Sequence, residues 1–247
     1  MPSDVYQLAS SLNSPKRIAR LAGVFYLLVA VFGIFAQMYA RGTVYVPGDA
    51  AATADNIVEH STLVRLGFVA DLVTATSFVF LGMALYKLFK QVNKEVAAAL
   101  VVFVAIGTGM ILVNLLYHFA ALSVATDPAY ASALGTGGSD ALVLLLLDMH
   151  HYGYTIAGIL FGLWLLPLGY LAYASGLFPR VLGVVVMIAC FSYVIDTLVV
   201  FLLPDLGSTV SLIVTAPAAL AEFWMVGYLF AIGVRTPKPA SRVLISA

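Results

Sequence analysis

The fold class this sequence predicts is an all-α, polytopic membrane helix bundle of six transmembrane helices, with a short extracytoplasmic helix after the first. Three observations predict it. The 247 residues are 62% hydrophobic and only 10% charged, where soluble domains are roughly 45–50% apolar and about 25% charged. The mean hydropathy is +1.03. Six apolar runs, at 18–40, 63–88, 96–124, 142–174, 181–203 and 210–234, each reach the ~20 residues that a helix needs to cross a ~30 Å hydrocarbon core.

The first run follows Lys16, Arg17 and Arg20. It is too long for the ~7–15-residue apolar core of a secretory signal, so it reads as a span. Pro47-Gly48-Asp49 breaks the chain after it, and Asp49 is placed to cap a short helix over Ala50–Glu59, outside the membrane. Polar or turn-forming stretches separate the later spans: 90–95, the Gly/Ser-rich 135–139, Phe178-Pro179-Arg180 and Pro204-Asp205-Leu206-Gly207. Residues 1–15 read as a polar cytoplasmic segment, 16–234 as one six-span domain and 235–247 as a cytoplasmic tail.

Charge sets the expected orientation. With the N-terminus inside, the inner segments hold ten Lys and Arg residues and the outer segments only Arg41 and Arg65. That asymmetry is a positive-inside signal and places both termini in the cytoplasm. Zero net charge offers no basic field for nucleic acid. Cys190 is the single cysteine, which excludes disulfides and thiolate clusters and reads as a small core residue. No span carries an interior lysine for a retinal-type linkage, and no phosphate-binding glycine motif follows a strand. No internal repeat supports an inverted-repeat transporter. Trp164 and Trp224 read as packing and interface anchors.

Polar residues inside apolar helices are costly, so each one locates protein or water. Nine stand out: Arg65, Asp71, Asn114, His118, Asp148, His150, His151, Asp196 and Glu222. Counted along their spans, all fall in the outer half, with Glu222 nearest the middle. Helical phase puts Gly67, Asp71 and Thr74 on one face, Gly107, Asn114 and His118 on another, and turns Arg65 away by about a third of a turn. In span four, Asp148, His151, Thr155, Gly158 and Gly162 form a stripe expected to face the interior, with His150 about 100° round beside Tyr154 and Phe161. Gly158 and Gly162 form a GxxxG pair that admits a neighbouring helix. Span four would be ~50 Å long as a single helix, so its Asp-Met-His-His run is expected at the outer interface. Pro217 is expected to kink span six near Glu222.

These residues sit in stretches that resemble a prokaryotic membrane family, domain of unknown function 4386. The matching pieces are "RIARLAGVFYLL", "VPGDAAATADNI", "RLGFVADL", "LLLLDMHHYGY", "FGLWLLPLGYLAYASGLFPRVLGV" and "SYVIDTL", spread over about residues 16–234. The resemblance implies a six-span bacterial membrane protein and selects no chemistry; with the charge asymmetry, the expected location is the bacterial cytoplasmic membrane.

Function therefore rests on the polar cluster. One reading is an outward-facing cavity that binds a small or amphiphilic ligand in the bilayer. A second is a metal-dependent, hydrolase-like enzyme acting on a lipid-type substrate. Asp148, His151 and His118 would then hold zinc, iron or manganese, and Glu222 or Asp71 would be the catalytic proton carrier. A third makes His118 and His150 or His151 ligands of a b-type haem. The fourth is a structural membrane subunit whose ion pairs fix helix register, with Arg65 paired to Asp71, Asp148 or Asp196.

Overall fold

The computed structural model describes residues 14–203 and 207–235. The expected turn at 204–206, the tail from 236 and nearly all of the polar N-terminal segment lie outside the described residues.

Six long apolar helices run through the bundle, and no strand occurs among the described residues. Helix α1 spans Pro15–Val44. Ser14 caps it by accepting from the Arg17 amide at 3.3 Å, with Pro15 in the first turn, where its missing N–H costs nothing. Within α1, Phe35–Arg41 is π-helical. Helix α2, Ala50–Glu59, is capped by Asp49, which accepts from the Ala52 amide at 2.9 Å, as expected. Helices α3, Ser61–Phe89, and α4, Lys94–Thr126, follow, the second capped by Asn93. A short helix α5, Pro128–Leu134, which no apolar run marks, is capped by Asp127.

Span four is two helices, α6 over Thr136–Leu163 and α7 over Leu165–Ser175. Pro167 explains the break at Trp164, because it has no N–H to give the Leu163 carbonyl. Gly176, at φ +67°, ends α7 in the left-handed conformation that favours glycine. Helices α8, Arg180–Leu202, and α9, Gly207–Gly227 with Pro217 inside it, complete the set, and a π-helical turn Tyr228–Ile232 extends α9.

Neighbours in sequence are largely neighbours in space. Helix α1 packs on α3, α3 on α4, α4 on α6, α6 and α7 on α8, and α8 on α9, while the final π-turn returns to α1. That closure depends on Gly23, where a Cβ would run into the backbone of Leu229 and Phe230. Helix α2 lies against α6 and α4 at the opposite end from the termini.

Two apolar clusters fill the bundle. One, at the α2 end, is built from Val44, Ile57, Val64, Ala121, Val143 and Leu147, among others. The larger, toward the termini, includes Tyr26, Phe78, Val104 and Trp164 and continues through Phe89, Leu168 and Phe178. Aromatic edges knit this second cluster: Trp164 meets Tyr26 and Phe78 with ring centroids 5.3 and 5.1 Å apart. The expectation that Trp164 packs rather than lines a cage agrees with this. Cys190 is buried in the same cluster.

Candidate functional site

Between the two clusters lies a polar layer, and four helices enter it. Arg41 falls between Tyr26 and Val44 on α1, and Asp71 between Val64 and Phe78 on α3. His118 falls between Val104 and Ala121 on α4, and His150 between Leu147 and Trp164 on α6. All four are buried: Arg41 is 7% exposed, Asp71 1%, His118 1% and His150 3%.

The centre is an ion pair. Arg41 Nη1 lies 2.6 Å from Asp71 Oδ2. The Arg41 Nε–H donates to Gln37 Oε1 at 2.9 Å, one helical turn back. His118 is fixed at both nitrogens. Nε2–H donates to the Val64 carbonyl at 3.1 Å, which leaves Nδ1 as the acceptor facing Arg41 Nη1 at 3.4 Å. His150 meets His118 edge-on with ring centroids 5.7 Å apart and lies parallel to Tyr154 at 6.4 Å. Phe68 flanks His118 at 6.3 Å. Asn114, one turn from His118, presses its amide onto α6 at Gly153, where a Cβ would collide with it.

Several buried polar atoms of this layer make no hydrogen bond within the protein: Arg41 Nη2, Thr74 Oγ1, Asn114 Nδ2 and, deeper on α4, Thr108 Oγ1, while Gln37 Nε2 has the Tyr154 hydroxyl beside it. An unmade hydrogen bond in an apolar interior costs about 1–3 kcal/mol. Such groups are normally satisfied by water or a ligand.

Two smaller polar groups adjoin the layer, the second of them through Tyr154. At the α2 end, the Tyr45 hydroxyl donates to Asp148 Oδ1 at 2.5 Å, and the His151 ring lies over Tyr45 at 5.8 Å. Burial, with Asp148 accepting its proton, pushes the Tyr45 phenol above the ordinary tyrosine range. Where α1, α8 and α9 meet, both Glu222 oxygens accept hydroxyls, from Tyr26 at 2.8 Å and Tyr193 at 2.6 Å. Next to that group, Ser211 donates to Asp196.

Of the nine expected residues, the structure brings Asp71, Asn114, His118 and His150 together. Asp148 sits at the rim, and Asp196 and Glu222 belong to the adjoining groups. Arg65 is exposed and does not line the layer. The cation that pairs with Asp71 is Arg41, which the sequence analysis placed in the outer loop. Its signal was present: apolar residues continue through Val44, Tyr45 and Val46, and the break comes only at Pro47. Gln37, Tyr26 and Tyr193 were missed for lack of charge.

The phase of span four is corrected. His150 is buried and His151 exposed, the reverse of the expectation. The interior stripe is Val143, Leu147, His150, Tyr154, Ala157 and Phe161. The glycine stripe instead faces α8: a Cβ at Gly158 would lie 3.1 Å from Thr197 Oγ1, and one at Gly162 2.7 Å from the Cys190 carbonyl. The GxxxG pair thus admits a helix, as expected, on a different side from the polar layer.

Asp148, His151 and His118 are not gathered. No group of three or more His, Cys, Asp or Glu side chains among the described residues is placed to share a metal ion. The contact between the His118 and His150 rings, and the engagement of both His118 nitrogens, leave no gap for a haem between them. The α2-end cluster stands between the polar layer and the loops on that side.

Comparison with known proteins assigns the family. The model for "Domain of unknown function (DUF4386)" matches residues 21–233, and the chain belongs to that family. No curated protein and no solved structure matches it.

Proposed function

We propose that this member of the DUF4386 family binds a small or amphiphilic ligand within the bilayer, at the layer formed by Arg41, Asp71, Asn114, His118 and His150. The observation that carries the reading is the pair of buried, unpartnered N–H donors Arg41 Nη2 and Asn114 Nδ2, beside a buried ion pair. A purely structural network is expected to close on itself, because unmet donors in a low-dielectric interior weaken the fold they sit in. Donors left open next to a fixed charge pair suit an oxygen supplied from outside the chain.

The protein would sit in the bacterial cytoplasmic membrane with both termini inside. Lys16, Arg17, Arg20, Lys87, Lys90, Lys94, Arg180 and Arg235 cluster at the termini end. With Arg41 buried in its ion pair, Arg65 is the exposed cation at the other. This sharpens the positive-inside asymmetry.

The test is extraction of the full chain in a mild detergent, followed by mass spectrometry of whatever co-purifies. A molecule retained near one per chain, and lost in both Arg41→Met and Asn114→Ala, supports the reading. Equal retention in wild type and both variants places the molecule elsewhere. Nothing retained, with no thermal stabilisation by a total membrane extract, overturns it.

A further inference from the structure

Resting on that ligand reading, we propose that the ligand is an uncharged, carbonyl-bearing amphiphile that enters sideways from the bilayer, through the groove between α3 and α4 beside Phe68.

The chemistry comes from the donors. Gln37 Oε1 accepts from Arg41 Nε, which fixes the amide orientation and makes Nε2 a true N–H donor. Arg41 Nη2 is a second donor one turn along the same helix. Arg41 Nη2 has no acceptor, and Gln37 Nε2 has only the Tyr154 hydroxyl beside it. Asp71 already neutralises Arg41, so an anionic ligand would leave an uncompensated negative charge between two apolar clusters. A ketone or ester oxygen has two lone pairs and brings no charge.

The route comes from packing. The apolar clusters close the layer toward both membrane faces, which leaves the sides. One side carries an open groove of about 220 Å³, lined by Phe68, Leu72, Leu112, Leu115, Leu116 and Phe119. Its wall is continuous with the polar layer. The Phe68 ring lies 6.3 Å from the His118 ring, and His118 Nδ1 lies 3.4 Å from Arg41 Nη1. An alkyl chain along the groove would thus bring an attached carbonyl within one aromatic side chain of the polar layer. Rotation of Phe68, with displacement of His118, would open the way to Arg41.

The experiment uses the full chain in dodecyl maltoside and two probes with the same chain, methyl laurate and sodium laurate, read by thermal unfolding at neutral pH. The ester is expected to raise Tm by roughly 5 °C at saturation and the carboxylate by less than about 1 °C. Gln37→Leu, which removes Nε2 together with the Oε1 that accepts from Arg41 Nε, and Phe68→Trp, which fills the groove, should each abolish the ester shift. A larger shift with laurate overturns the uncharged class while leaving the ligand reading standing. An ester shift unchanged in both variants overturns the site and route. If neither probe shifts Tm but a co-purifying molecule depends on Arg41, the class is wrong and the site survives. If neither probe acts and nothing co-purifies, both proposals fall together.

Discussion

Arg41 and Asp71 face each other at 2.6 Å, from two different helices and with both side chains buried. Removing one partner leaves the other charged and unpaired in a low-dielectric interior, which costs about 3–5 kcal/mol. Arg41→Met and Asp71→Leu should each lower the thermal midpoint in detergent sharply. The double variant should recover much of the loss, because its two apolar side chains need no countercharge. A double variant as unstable as the sum of the singles would show that the two residues act independently.

At Gly153, α6 passes close against the Asn114 amide of α4. Gly153→Ala would drive a methyl group into the Asn114 amide, and overpacking of this kind costs about 1–3 kcal/mol. Asn114→Ala in the same chain should restore stability by making room. Thermal unfolding of the four members of that cycle checks it, and equal loss with and without Asn114 would contradict the contact.

Tyr45 and Asp148 tie the end of α1 to α6. Tyr45→Phe should destabilise the fold by about 1–2 kcal/mol, the worth of a hydrogen bond to a carboxylate. The tyrosine holds its proton more tightly folded than unfolded. The difference between wild type and variant should therefore be complete below pH ~10, the unfolded phenol's range, and vanish as pH rises further. Denaturation midpoints of both proteins across the alkaline range read this directly.

Glu222 takes a hydroxyl on each oxygen, from helices α1 and α8. Tyr26→Phe and Tyr193→Phe should each cost about 1–3 kcal/mol, with a non-additive double variant. Tyr154 stands between this group and the Arg41 layer, interacting with Glu222 and Tyr193 as well as with Arg41, Asp71 and Gln37; with the ligand held by Arg41 and Asn114, neither change should alter retention of a co-purifying molecule. Loss of that molecule in Tyr193→Phe would join the two groups into one site.

Much of the architecture was legible in the sequence, because the rules involved are local. A membrane-spanning helix must be apolar over ~20 residues wherever it packs, and Asp49 caps α2 through its own neighbour's amide. The faces of Asp71, Asn114 and His118 were legible for the same reason: on α3 and α4, apolar and small residues repeat cleanly on one side.

What only the tertiary structure decided is which faces meet. Hydropathy cannot choose between His150 and His151, which differ by about 100° on a helix that packs against both α4 and α8. The glycine stripe of α6 serves α8, and the stripe one residue over serves the polar layer. Nor can sequence assign Asp71 its cation: Arg65 is closer in the chain by far, but it points outward, while Arg41 arrives from a helix 30 residues away. Pairing across helices depends on which turns lie at the same depth and face each other, a relation between elements that no single helix's pattern contains.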